Sequence, residues 1–273
     1  MADALADFAS PALTAPAGVA LYDTHCHLDA SEFDADRDRV IADAIAAGVG
    51  SILVPGVEVA NFVAVRALCA SPQKINLNAA FGIHPMYTPR ARDDDLAVLR
   101  RWLRDERPVA VGEIGLDGYL PGLDMARQEW FFAEQLKLAR EFELPVVLHV
   151  RRAQDLVLKH LRRIRLRGGI AHAFNGSRQQ ADEFIRLGFK LGFGGAMTFA
   201  GSTRIRTLAR ELPLEALVLE TDAPDIPPAW LNGGRNTPGQ LAGIALELAR
   251  LRSVAVSQIA AVTQASAVAL FSR

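Results

Sequence analysis

Residues 145–172 read PVVLHVRRAQDLVLKHLRRIRLRGGIAH. Pro145 to Leu148 is a short, valine-rich apolar run, the composition of a buried strand, and it ends at His149. From about Ala153 to Ile164 the apolar residues recur three and four apart, as on the buried face of a helix. Ile170-Ala171 then opens a second apolar run, which ends at His172. Two strands separated by a helix pair in parallel. Each of these two closes on a histidine.

The same unit repeats outward in both directions. Val19–Tyr22 ends in Asp23-Thr24-His25-Cys26-His27, and Ser51–Val54 follows a helical stretch at about Asp34–Ala47. Asn76–Ile83 ends in His84-Pro85, and Val109–Val111 ends in Gly112-Glu113-Ile114-Gly115-Leu116-Asp117. Downstream come Phe189–Phe193 and Leu217–Leu219, the latter ending in Glu220-Thr221-Asp222. Two further helices, at about Gly239–Leu251 and Ser257–Phe271, close the chain. Eight strand–helix units without an internal linker predict an α/β fold. They form a single-domain TIM (β/α)8 barrel over residues 19–273, with extra C-terminal helices. An open doubly wound sheet is the competing arrangement. Residues 1–18 are rich in Ala and Pro, carry Asp3 and Asp7 and lack a basic start. They read as a flexible arm rather than a secretory signal.

Composition narrows the function classes. The net charge of −1 gives no global basic field for nucleic acid, so a local groove or bound metal ions would have to hold phosphates. Two cysteines, Cys26 and Cys69, make no disulfide framework and suit a reducing compartment, here the cytoplasm. No apolar run approaches the ~20 residues of a membrane span. Nothing in the sequence calls for an obligatory protein partner.

The chemistry lies at the strand ends. His25, His27, His84, Glu113, His149, His172 and Asp222 each close an apolar run, and in a barrel those ends converge on one mouth. Five of the six histidines are among them, leaving His160 mid-helix as a surface or packing residue. His25 and His27 share one face of an extended backbone, which turns Cys26 toward the helix layer as an apolar filler. Imidazoles with carboxylates suit zinc, manganese, iron or nickel, and magnesium less well. Glu113 is the natural bridge between two divalent ions, with a structural salt bridge as its alternative. Gly112 and Gly115 are expected to leave backbone room beside it. Two ions about 3.5–4 Å apart clamp the attacking and leaving oxygens of a displacement. Asp222 binds one ion and orients the water or takes its proton, which makes Asp222 and Glu113 the expected catalytic residues.

Other residues have paired readings. His84 either donates to a substrate oxygen or caps the Pro85 turn. Arg151, two residues beyond His149, shares its face and is placed to bind a phosphate. Gly192-Phe193-Gly194-Gly195 admits a phosphate or makes a tight turn. Trp230, Phe174 and Tyr87 stack a base or pack locally. The basic run Lys159–Arg167 falls at the end of the fifth helix, away from the mouth, where cations complement the helix dipole.

Six motifs in order carry a family resemblance. They are Asp23-Thr24-His25-Cys26-His27-Leu28, Gly82-Ile83-His84-Pro85, Gly112-Glu113-Ile114-Gly115-Leu116-Asp117, Pro145 to Arg151, His172-Ala173-Phe174-Asn175-Gly176 and Glu220-Thr221-Asp222-Ala223-Pro224. Together they resemble the TatD family of metal-dependent deoxyribonucleases from about Leu21 to Phe271. The resemblance implies an amidohydrolase-type TIM barrel and hydrolysis of DNA phosphodiesters, often as a 3′–5′ exonuclease. It also implies metal ligands at His25, His27, Glu113, His149, His172 and Asp222. Two positions depart from the family pattern. Arg235-Asn236-Thr237-Pro238 stands where Arg-Asn-Glu-Pro is frequent, and Gly118 where an aromatic often follows Leu-Asp, with Tyr119 taking its place. This pattern is similar to a branch described as metal-dependent hydrolases.

Two other functions compete. One is a hydrolase of the same architecture acting on small phosphoesters, aminoacyl-tRNA esters or amides, since one activated water attacks carbon or phosphorus alike. The lack of a lysine at a strand end, the usual site of carboxylation in amide hydrolases of this kind, favours phosphoesters. The other is a non-catalytic metal- or nucleic-acid-binding protein, against which the full ligand set counts.

Overall fold

A computed structural model describes residues 20–272, and the arm expected over 1–18 lies outside them. The strands are β1 (Leu21–Asp23), β2 (Val49–Pro55), β3 (Asn76–Phe81), β4 (Ala110–Asp117), β5 (Val146–Arg151), β6 (Gly169–Ala171), β7 (Phe189–Phe193) and β8 (Leu217–Leu219). Each pairs in parallel with the next. The intervening helices are α1 (Arg37–Ala46), α2 (Phe62–Ala70), α3 (Asp95–Glu106), α4 (Met125–Glu141), α5 (Gln154–Leu161), α6 (Arg178–Arg186) and α7 (Thr203–Glu211). After β8 come α8 (Leu241–Arg252) and α9 (Val256–Phe271).

The ends of the sheet meet, which decides for a barrel over an open sheet. Beyond β1, the Thr24 N–H donates to Leu219 O at 3.0 Å and the His27 N–H to Ala223 O at 2.8 Å, while the Asp222 N–H donates to His25 O at 2.8 Å. Three short bonds across this seam supply the pairing that an edge strand would otherwise lack.

Strand alternation sorts the side chains into two cores. On β5, Val146 and Leu148 belong to the large cluster beneath the helices, whereas Val147 faces the other way, as His149 does. Val147, Leu53, Ala80, Ala110, Ile170 and Val218 form the barrel's own filling, with Tyr22, Leu270 and Phe271 in the same cluster. The end of α9 thereby packs on the barrel base, with the Phe271 ring 5.7 Å from that of Tyr22. Among the described residues no single helix is long and apolar enough to cross a membrane.

Two features of β4 shape the mouth. The strand runs on through the Gly112–Asp117 motif, so Glu113 sits within it rather than after it. Between Val111 and Ile114 the register slips: three steps on β4 match two on β5, from Val146 to Leu148. Such a bulge re-aims a side chain, and the one it re-aims is Glu113. Helix α4 then fixes the neighbouring strand ends with two buried glutamines. Gln135 accepts from Ile83 N at 2.7 Å and donates to Ile83 O at 3.0 Å, and Gln128 does the same for Asp117 at 2.8 and 3.1 Å.

Candidate metal centre

The buried Glu113 carboxylate stands at the centre of five imidazoles. Its Oε2 lies 3.2 Å from His25 Nε2 and 3.5 Å from His27 Nε2. Its Oε1 lies 2.8 Å from His172 Nε2, 3.2 Å from His149 Nδ1 and 3.4 Å from His84 Nε2. Asp222 joins the first group, with Oδ1 3.5 Å from His25 Nε2 and 3.8 Å from His27 Nε2. His25 Nε2 and His27 Nε2 are themselves 3.3 Å apart. The structure thus brings together all six ligands expected from the sequence, with His84 beside them.

These separations fit metal binding. Donors about 2.1 Å from a shared tetrahedral ion sit about 3.4 Å from one another. Imidazole nitrogens gathered this closely offer lone pairs that one carboxylate cannot satisfy, and a cation is the partner that matches them. The donor atoms of His25, His27 and Glu113 converge closely enough to hold an ion, as do those of His25, His172 and Asp222 and those of His84, Glu113 and His149. Magnesium, which prefers an oxygen shell, suits this nitrogen-rich set less well than zinc, manganese or nickel.

Burial pushes His25 down to about 3 and His84 down to about 4, so both rings are neutral near pH 7. Neutral imidazole is the ligating form. Burial alone would raise the Glu113 carboxyl, but His84, His172 and His25 and the hydrogen bond from His149 hold it well below the usual range. Burial would likewise lower His172, yet the charge and hydrogen bond of Glu113 raise it to about 10.

Three further carboxyl groups, which local sequence patterns leave without roles, support this centre. Asp117 Oδ2 lies 3.0 Å from His149 Nε2, which leaves Nδ1 turned toward Glu113. A carboxylate behind a ligating imidazole fixes its tautomer and orientation. Its signal in the sequence is the spacing Glu113-x-x-x-Asp117, which places both side chains on one strand face. Asp23 accepts from the Thr221 hydroxyl at 2.6 Å and the Thr221 N–H at 2.9 Å, tying β1 to the Asp222 turn. Glu220 is buried, accepts from the Ala173 N–H and lies 4.0 Å from His172 Nδ1. Burial raises its carboxyl to about 8.

Of its two expected roles, His84 takes the turn-capping one in the structure. It caps its turn, accepting at Nδ1 from the Met86 N–H at 3.1 Å, and at the same time presents Nε2 to the centre. The glycines of β7 make room for Glu220 rather than for a phosphate: a Cβ at Gly192 would lie 2.1 Å from Glu220 Oε2. Gly115, with φ of +151°, lies so close to β5 that a Cβ there would lie 2.0 Å from His149 O. Glycines 112 and 115 therefore admit β5, and do not open the space beside Glu113 that the sequence suggests. Trp230 packs locally, its indole N–H donating to Gln240 Oε1 at 2.7 Å. Phe174 and Cys26 are buried in the helix-side core, and Tyr87 carries the Arg90 guanidinium 4.4 Å from its ring centre. His160 pairs with Glu129 at 2.9 Å, and Arg162 of the basic run pairs with Glu183 at 2.7 Å. Arg151 ends β5 exposed, over the Tyr119 ring.

In the departing segment, the buried Asn236 donates from Nδ2 to Thr221 O and Asp225 O, both at 2.8 Å. Arg235 pairs with Asp36 at 2.7 Å. The segment fastens the Asp222 turn to Asp36, the residue before α1.

The profile of the family described as TatD related DNase matches residues 22–272. An uncharacterized metal-dependent hydrolase of Escherichia coli K12, YjjV, is 43% identical over 241 residues, 87% of this chain and 92% of its own length. The crystal structure of E. coli YjjV, a TatD homologue, matches with a TM-score of 0.89 at 41% identity, covering 93% of this chain and 98% of that one. The 3′–5′ ssDNA/RNA exonuclease TatD of Cronobacter sakazakii is 34% identical over 258 residues, 92% of this chain and 97% of that protein. The barrel, the ordered motifs and the family profile span the same residues, and the chain belongs to the TatD-related DNase family of metal-dependent hydrolases.

Proposed function

We propose that this protein hydrolyses phosphodiester bonds of single-stranded DNA from the 3′ end, with two divalent ions held by His25, His27, Glu113, His149, His172 and Asp222. The division of Glu113 carries the reading: Oε2 faces His25 and His27 at 3.2 and 3.5 Å, and Oε1 faces His172 and His149 at 2.8 and 3.2 Å. A structural salt bridge would not need imidazoles gathered on both oxygens of one carboxylate. When bound, such a pair of ions acidifies water and offsets charge on phosphoryl oxygens.

The protein's own groups do the rest. The Asp222 side chain keeps 13% exposure at the mouth and takes the proton of the attacking water. His84 accepts at Nδ1, so its proton is on Nε2, directed into the site and available to a substrate oxygen. Arg151 offers a guanidinium to phosphate. Among the described residues, the one lysine in a strand, Lys190, donates to Glu215 O at 2.7 Å and takes no part in the centre. This favours phosphoesters over amides. The nuclease choice and its direction rest on the exonuclease relative at 34% identity.

The test is hydrolysis of a 5′-labelled single-stranded DNA oligomer by protein stripped of metal and reloaded with Mg²⁺, Mn²⁺, Zn²⁺ or Ni²⁺. Shortening from the 3′ end is expected. Asp222→Asn should fold normally and slow the reaction by about 10²–10⁴-fold, the usual worth of a general base. Two bound ions without cleavage under any metal would reject the nuclease and direct the search to other esters.

A further inference from the structure

We propose that Tyr119, Arg151 and Arg152 form a clamp for a second phosphate and its base on a single nucleic-acid strand, beside the phosphate being cleaved. The inference rests on the nuclease reading above and adds a determinant of substrate length.

The clamp is built by the loop after β4 lying on the end of β5. The Gly118 N–H donates to Arg151 O at 2.7 Å, and a Cβ at Gly118 would lie 2.7 Å from Arg152 O. Only glycine admits this approach, so the aromatic residue falls one position later, at Tyr119. The Tyr119 and Leu120 N–H groups donate to Asp117 Oδ1 at 2.7 and 2.9 Å, while Oδ2 of the same carboxylate holds His149. One buried side chain therefore ties the aromatic platform to the metal centre.

Two consecutive arginines converge on that ring. Arg151 and Arg152 place their guanidinium carbons 3.8 and 4.6 Å from its centre. Arg152 does so from a left-handed backbone, with φ of 51°. Both are exposed, and 45% of Tyr119 is exposed.

Charge separates this cluster from its counterparts. Four other arginines lie over aromatic rings: Arg66, Arg90, Arg127 and Arg235. Each is neutralised by a carboxylate, Glu106, Glu58, Asp93 and Asp36 in turn, at 2.5 to 3.3 Å. Among the described residues, Arg151 and Arg152 have no carboxylate partner. Two adjacent guanidiniums without a counter-charge favour an anion with forked acceptors, which phosphate provides. The exposed ring beside them offers a stacking surface for a base. A small monoester would satisfy only half of this arrangement, and a nucleic-acid strand satisfies both.

The test is binding of fluorescein-labelled dT8 by anisotropy, from 50 to 200 mM salt. The parent is the metal-loaded protein carrying Asp222→Asn, so that the strand survives. Changing Arg151→Gln and Arg152→Gln together should raise Kd at least tenfold. It should also reduce the salt slope by about 0.7, the contribution of one phosphate contact on a single strand. Tyr119→Ala should raise Kd about tenfold with the slope kept, and Tyr119→Phe should restore affinity to within twofold. Changing Arg163→Gln and Arg165→Gln together, at the far end of the barrel, makes the same charge change and should alter neither quantity. Failure of the parent to bind dT8 would overturn the clamp. So would an unchanged Kd and slope in the Arg151/Arg152 variant, or an equal loss in the Arg163/Arg165 control. If the parent binds as expected but wild type cleaves no DNA, the clamp stands and the nuclease reading falls. If wild type cleaves DNA but the Arg151/Arg152 variant keeps its salt slope, the nuclease reading stands and the clamp falls.

Discussion

His149 is held from both sides of its ring, by Glu113 Oε1 at Nδ1 and Asp117 Oδ2 at Nε2. Removing the charge behind a ligating imidazole loosens its orientation and lowers its basicity. Asp117→Asn is therefore expected to weaken metal affinity about 10–100-fold, measured by competition with a chromogenic chelator, with the circular dichroism of the native protein. An affinity equal to wild type would make Asp117 a loop anchor only. At this scale the candidate ligands were legible because each lies where an apolar run ends, His25 and His27 at the end of the same one. Asp117, Asp23 and Glu220 were not, because their worth depends on partners remote in the chain. Asp23, for example, accepts from Thr221, 198 positions away.

Among the elements, β4 and α4 do most to place the site. Apolar patterning puts a strand at Val109–Val111 and the glutamate just beyond it, whereas the strand continues to Asp117 with its pairing shifted by one residue. A glycine-rich motif reads locally as a turn. Only pairing with β5 reveals it as strand. Gln135 completes the other strand end by bonding both backbone groups of Ile83, next to His84. Gln135→Ala leaves a buried N–H and C=O without partners, at about 1–3 kcal/mol for each such group. A loss of roughly 2–4 kcal/mol in urea denaturation is expected from that cost. A change below about 0.5 kcal/mol would mean that water replaces the amide.

For the whole molecule, core and metal centre are separate: the apolar clusters fill the barrel and its helix layer, and the charged groups occupy the mouth. Chelation is thus expected to leave the far-UV circular dichroism intact while lowering Tm. The stability returned by metal should be about 2.7 kcal/mol at a free concentration of 100 times Kd. Loss of helical signal on chelation at 25 °C would instead make the ions structural. The alternation of strands and helices, the parallel pairing, the two helices after β8 and the convergence of the six candidate ligands at one mouth were all determined by the sequence itself. Apolar periodicity and the polar residues that end six of the eight runs are local properties, and barrel closure aligns those ends. The tertiary structure alone decided how Glu113 divides its two oxygens, which carboxylate stands behind His149 and that two arginines share one tyrosine. Each of these depends on side chains from different strands meeting within a few ångströms, and no local pattern in the chain encodes that distance.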